Sequence, residues 1–304
     1  MRRVCYFSPF IPREWIIAHG FSPCRLALSA ELACAGAGAG VCPYAQALVA
    51  RAERWDDALL VLTTTCDQLR RAAERIALQW AGRSHQDALF VFNVPATWGR
   101  GPREQYQAEL QRLGDFLVRH GGRAPEGEVL EHHLERAAGV AVAPSRTAQK
   151  QGEDHTPKKG IPVAVVGGHL FTEHHMLHYL IRNAGGRVVL NGSEGGERTY
   201  PDYAGVSAAS GPLEALATAY FDAIPDAFRR PDTGLGEWLA RRVRERGAHG
   251  VIFHAYAWCD LWRAAHGHLA EVVGVPTLFL ELGSSPEING HTRTRLEAFL
   301  ESLA

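Results

Sequence analysis

No run of apolar residues in the 304-residue chain approaches the ~20 needed to cross a bilayer as a helix. Charge of one sign is also missing. With 32 Lys and Arg against 33 Asp and Glu, the formal net charge is -1, so no global field draws the chain to nucleic acid or anionic lipid. The cysteines form no CxxC pair and no zinc-finger spacing. The glycine-rich turns include no full GxGxxG and no P-loop, which argues against an ATP-hydrolysing role for the chain itself. Behind Met1-Arg2-Arg3, the segment VCYFSPF lacks the apolar stretch and small-residue cleavage site of a secretory signal. A cytoplasmic protein with no nucleic-acid and no membrane partner is expected.

What is present is ordinary for a globular chain: 46% hydrophobic and 21% charged residues, over a length that suffices for two domains and a large core. Six cysteines in a reducing compartment do not make a disulfide framework. They are either inert buried thiols or metal ligands drawn from distant points of the chain.

Short apolar runs alternate with helical stretches twice. In the first half, 58–63 (ALLVLT) and 89–94 (LFVFNV) read as strands around a helix over 67–79, and two amphipathic helices follow at 103–120 and 126–138. In the second half, 162–166, 187–190, 250–254 and 277–281 read as strands, with helices at 173–183 and 292–303. This βαβ alternation predicts an α/β protein with parallel sheets and helices on both faces. The polar stretch 144–160 reads as a linker between an N-terminal lobe, 1–143, and a C-terminal lobe, 161–304.

The two halves repeat one pattern: a strand, a short loop, Cys-Asp, a helix carrying Arg and Ala-Ala, and a further strand. It appears at LLVLTTT-Cys66-Asp67 and again at VIFHAYAW-Cys259-Asp260, as two copies of one α/β unit would show. Cys66 and Cys259 thus stand where a strand's carboxyl end passes into a helix, the place where doubly wound sheets bind ligands. A helix start favours thiolate, the form that ligates metal. Asp67 and Asp260 are expected to accept helix-start amides. Cys42, in GAGAGVCP before a helix over 44–52 with Pro43 in its first position, shares that context. Cys5 is expected in the core of the first strand, Cys24 in a turn after Ser22-Pro23, and Cys34 in a small-residue stretch. Three thiolates leave one coordination position open. Zinc, with His254 close in sequence, and a cuboidal iron–sulfur cluster with an open iron are both compatible with that count.

Beyond these patterns, the chain resembles the component subunits of 2-hydroxyacyl-CoA dehydratases and benzoyl-CoA reductases, a group that includes double-cubane cluster proteins. The resemblance runs through SPFIPREWIIAHGFSPCRL (8–26), VCPYAQALV (41–49), TTTCDQLRRAAE (63–74) and FVFNVPATW (90–98). It continues in the helix with Tyr106 and Glu109, then in VAVVGGHLF (163–171), GGRVVLNGSEGGERTYP (185–201), GVIFHAYAWCDLW (250–262) and TRTRLEAFLE (292–301). It implies two similar Rossmann-like lobes with a cluster site in the cleft between them. By the same resemblance Cys42, Cys66 and Cys259 match the ligands of an iron–sulfur cluster, [4Fe-4S] or a larger cubane-derived form. The implied activity is that of a lyase or low-potential reductase acting on an acyl-CoA, with electrons from a separate ATP-hydrolysing iron–sulfur activator protein. Family subunits are generally longer between the lobes. A homodimer, pairing with a related subunit, a non-catalytic or electron-relaying role beside a longer homologue, and double-cubane-type reduction of a small substrate therefore stand as alternatives.

Glu14 and Arg198 fall in segments similar to the family's cleft and are candidate substrate-binding residues, with a structural ion-pair role as the other reading. His174 and His178 share a helix face at i, i+4 without the HExxH order, and a partly exposed face is expected for them. Tyr256, Trp258 and Trp262 surround Cys259 and would exclude water there, or serve as core. Gly167-Gly168-His169 and the 192–196 run follow strands as phosphate loops do, or are tight turns.

Overall fold

The computed structural model describes residues 2–34, 40–55, 58–125, 159–204, 206 and 211–304. The helix expected at 126–138, nearly all of the expected linker and the side chain of Cys34 lie outside the described residues. Two four-stranded parallel sheets carry the fold. The first joins β1 (Arg3–Tyr6), β2 (Ser22–Arg25), β3 (Leu59–Thr63) and β4 (Leu89–Phe92) in the order β2-β1-β3-β4. The second joins β5 (Ile161–Gly167), β6 (Gly186–Gly192), β7 (Gly250–Tyr256) and β8 (Thr277–Leu282) in the order β6-β5-β7-β8. One topology is therefore used twice, as the repeat predicts.

Every residue of β3 and of β7 is buried, as expected where helices cover both faces of a parallel sheet. In the second sheet alternate residues serve opposite cores. Ala164, Val166 and Phe253 pack with Leu235, Leu239 and Leu269, while Val163, Val165 and Ile252 pack with Leu177, Ile181, Leu296 and Leu300. Cys24 lies in β2 rather than in a turn, which corrects the expectation. Pro23 offers no amide to a ladder, but β2 is an edge strand, where that absence is tolerated.

The chain divides into two compact units. One holds the described residues of Met1–Leu26, Ala52–Gly152 and Tyr200–Ile224; the other holds those of Ala27–Arg51, Glu153–Thr199 and Pro225–Ala304. The early segment Ala27–Arg51 is fixed to the second unit by specific bonds. The carboxylate of Glu173 receives Ser29 Oγ and, at 2.9 Å, the amide of Ala30, satisfying the start of the helix Ala30–Cys34. Burial alone would raise the Glu173 carboxyl, and these hydrogen bonds hold it below its ordinary value. The amide of Thr172 donates to Leu28 O at 2.9 Å.

Candidate functional site

Where the order of an open parallel sheet reverses, the loops leaving adjacent strands diverge and make a ligand crevice at the carboxyl ends. In the first unit that point lies between β1 and β3, and in the second between β5 and β7. Cys66 stands three residues beyond the end of β3, and Cys259 three residues beyond the end of β7. Each is the N-cap of the next helix, Asp67–Trp80 and Asp260–Val272. Their carbonyls accept the amides of Arg70 at 2.9 Å and Arg263 at 3.2 Å, and neither thiol is used as a cap. Cys42 precedes the helix Pro43–Glu53 in the same way, its carbonyl accepting the amide of Gln46 at 3.1 Å. All three sulfurs therefore sit at amide-rich helix starts, which favour a thiolate. Cys5 is core, as expected.

Asp67 differs from its expected role. Its carboxylate takes Arg70 and Arg71, both at 2.7 Å, instead of helix-start amides, because cysteine already holds the cap position. These ion pairs, Arg70 first, hold Asp67 below its ordinary value.

In the second unit aromatic residues lie close to Cys42 and Cys259. The amide of Cys259 donates to Tyr256 O at 3.1 Å, and the Cys42 thiol is among the groups acting on the Tyr256 phenol. Burial first, and then neighbours including Tyr44 and Cys42, push that phenol up. Tyr44 stacks on His169 with centroids 4.5 Å apart and planes at 9°. Nε2 of His169 lies 3.8 Å from Glu194 Oε1. Trp258 is 55% exposed and has φ +66°, the left-handed region that L-residues enter at a cost. Tyr256 and Trp262 are buried, so water is kept from the inner side of this loop.

The two candidate substrate contacts prove deeply held. Arg198 is 1% exposed. Its Nε donates to Gly192 O and its Nη1 to Pro225 O, both at 2.9 Å, with Asp226 Oδ2 at 2.6 Å. Nη2 reaches Glu194 Oε2 and Gly167 O, and the guanidinium carbon lies 5.1 Å from the Trp262 ring centroid. Glu14, in the first unit, is buried and accepts the Tyr220 hydroxyl at 2.6 Å.

Of the two histidines expected on a partly exposed helix face, His178 is half-buried, as expected, and His174 is buried. Its Nε2 donates to Ser285 O at 2.7 Å, which leaves Nδ1 to accept the Tyr256 hydroxyl at 2.9 Å. His254 is fully enclosed. Gly167, the last residue of β5, and Gly196, beyond β6, are packing positions. A side chain at Gly167 would strike His254, and one at Gly196 would lie 2.1 Å from Asn191 O. Sequence reasoning missed the Tyr44–His169 stack and the Tyr256–His174 bond. Their partners are 125 and 82 residues apart, and only the proximity of Tyr44 to Cys42 hinted at the first.

Iron–sulfur clusters take cysteine thiolates, and the donor chemistry of these three helix-start sulfurs fits that group. Cys42 and Cys259 belong to the second unit and Cys66 to the first. Among the described residues no group of three or more His, Cys, Asp or Glu is arranged to hold a metal ion.

A doubled α/β topology with a cysteine capping the helix after the third strand of each sheet defines the class. The sequence model of the family described as 2-hydroxyglutaryl-CoA dehydratase, D-component, matches residues 9–140 and 131–303, and the chain belongs to that family. No curated protein matches it. Solved structures that it matches include the laminin-binding adhesin Lmb of Streptococcus agalactiae, as a mutant, at 14% identity and TM-score 0.25, covering 100% of both chains. Another is the binding protein FpvC of P. aeruginosa in complex with Ni2+, at 12% identity and TM-score 0.26, covering 100% of this chain and 94% of that one. A third is a Mn-bound periplasmic metal binding protein from candidatus liberibacter asiaticus, at 10% identity and TM-score 0.26, covering 100% and 98%. Likeness at these scores carries no argument about this chain.

Proposed function

We propose that this chain is the cluster-bearing component of a 2-hydroxyacyl-CoA dehydratase-type enzyme, a lyase or low-potential reductase, with Cys42, Cys66 and Cys259 as thiolate ligands. The observation that carries the proposal is the equivalent placement of Cys66 and Cys259, each capping the helix after the third strand of its sheet, in a chain of the dehydratase family. The group these thiolates would hold, [4Fe-4S] or a larger cubane-derived cluster, would supply low-potential electron transfer to the substrate. The chain's own residues do the rest. Helix-start amides favour the thiolates, Tyr256 and Trp262 exclude water, and His169, stacked on Tyr44 and facing Glu194, can hold or release a proton at Nε2. The proposed partners follow the family: an ATP-hydrolysing iron–sulfur activator protein, a second copy or related subunit, and an acyl-CoA substrate, in the cytoplasm.

Anaerobic iron and sulfide quantification on the purified chain, beside single Cys→Ala variants at all six cysteines, tests this. The expected result is a brown protein with broad absorbance near ~400 nm and roughly four irons per chain or more, lost in the variants at 42, 66 and 259 and kept at 5, 24 and 34. A colourless protein after anaerobic reconstitution, with Cys66→Ala equal to the parent in iron, would sink the proposal.

A further inference from the structure

In the second unit, a group of imidazoles fills the layer between β7 and the segment Glu173–Asn183. His254, 1% exposed on β7, has no hydrogen-bond partner on either ring nitrogen among the described residues. Gly167 is its register partner on β5, and a Cβ there would lie 2.6 Å from Cε1 and 2.7 Å from Nδ1 of the imidazole. Nε2 of His178, in the helix Met176–Asn183, is likewise sealed from solvent without a partner. His174 is tied to Tyr256 and Ser285, and the more exposed His175 completes the group.

The charges around His254 and His178 oppose their protonation, while the Glu173 carboxylate favours that of His174. The groups acting on His254 are His178, His175, the Arg198 guanidinium and His174. Those acting on His178 are His175 and Arg182. The carboxylate of Glu173 acts on His174 and is already engaged by Ser29 and Ala30. Burial before all else pushes His254 down to about 3 and His178 down to about 4, so both are neutral at neutral pH.

We propose that this imidazole cluster is an acid-sensitive latch, fastening the helix Met176–Asn183 to the second sheet when neutral and releasing it on protonation. That helix places Leu177 and Ile181 in the core against Val163, Val165 and Ile252, so its release opens one face of the sheet. The sign follows from linkage. In the opened form the rings return toward the ordinary histidine value of ~6.5, so the open form binds protons that the closed form refuses. Stability is therefore whole above that value and falls as pH drops below it. Each latch histidine shifts the open-to-closed ratio about tenfold per pH unit, and His254 with His178 about a hundredfold, between roughly pH 6 and 4.5.

The test measures the unfolding equilibrium in urea at pH 7.5, 6.5, 5.5 and 5.0, with hydrogen exchange of the amides in 176–183 followed at the same pH values. The full chain is compared with His254→Phe and His178→Leu. The parent is expected to loosen steeply below pH 6.5, first in 176–183. Each variant should lose about one tenfold step per pH unit of that dependence and be no less stable than the parent at pH 7.5. Equal pH slopes in parent and variants, or exchange in 176–183 no faster at pH 5.0 than at 7.5 after correction for the intrinsic rate, overturn the proposal. If His254→Phe does not fold, the slope of His178→Leu decides.

Discussion

The hydroxyl of Tyr220 donates to Oε2 of Glu14 at 2.6 Å, inside the first unit and away from water. Burial first, then the Glu14 charge, push the Tyr220 phenol far up, so it remains a donor at every working pH. Tyr220→Phe leaves the carboxylate buried with one donor fewer. A loss of roughly 1.5–3 kcal/mol is expected, read as a lower urea midpoint. A midpoint unchanged from the parent would show that Glu14 finds another donor.

Arg198 lies between Glu194 and Asp226 with its side chain wholly covered. Breaking such a network from one side leaves two uncompensated buried carboxylates. Arg198→Ala is therefore expected to cost about 3–5 kcal/mol and to reduce the yield of folded protein. Arg198→Lys cannot reproduce the fork that reaches Gly192 O, Pro225 O and both carboxylates, and should recover only part of that. The measurement is thermal unfolding without any ligand. A variant as stable as the parent would show that this buried network does not contribute to stability.

Ser29→Ala removes one of the two hydrogen bonds that Glu173 receives from the segment 27–51. A loss of about 1 kcal/mol at neutral pH is expected. Because Glu173 is held below its ordinary value, its contribution is present above roughly pH 4.5 and disappears as pH falls through the folded value. The difference between parent and variant should therefore close at low pH. A gap that widens on acidification would contradict this sign.

Trp258, with φ +66°, occupies a conformation in which only glycine avoids a steric cost. Trp258→Gly should be about 1 kcal/mol more stable than Trp258→Ala in urea unfolding, since alanine keeps the strain and loses the indole. If the alanine variant is the more stable of the two, the turn leading to Cys259 is not strained.

Much of this was readable beforehand. The strands β3, β5 and β7 are largely apolar runs, and the Cys-Asp repeat marked both helix starts, because local sequence alone decides them. Pro23 concealed β2, since a proline argues against a strand unless its edge position is known. The tie of Ser29 to Glu173, the Tyr44–His169 stack and the enclosure of His254 depend on partners far away in sequence. His174 and His178 looked like a partly exposed face because polar residues at i, i+4 ordinarily form one, and His178 is half-buried. His174 is instead buried, with its ring bonded to Tyr256 of β7.

Each compact unit is assembled from three separate stretches of chain. Neither can be obtained by cutting the gene once. A ribosome that has delivered residues 1–152 has still to supply 200–224, including the Tyr220 that binds Glu14, before the first unit is whole. The segment carrying Cys42, made among the earliest, waits for Glu173 and Tyr256. Completion of both units falls late in synthesis, so truncated products expose apolar strands that have no cover.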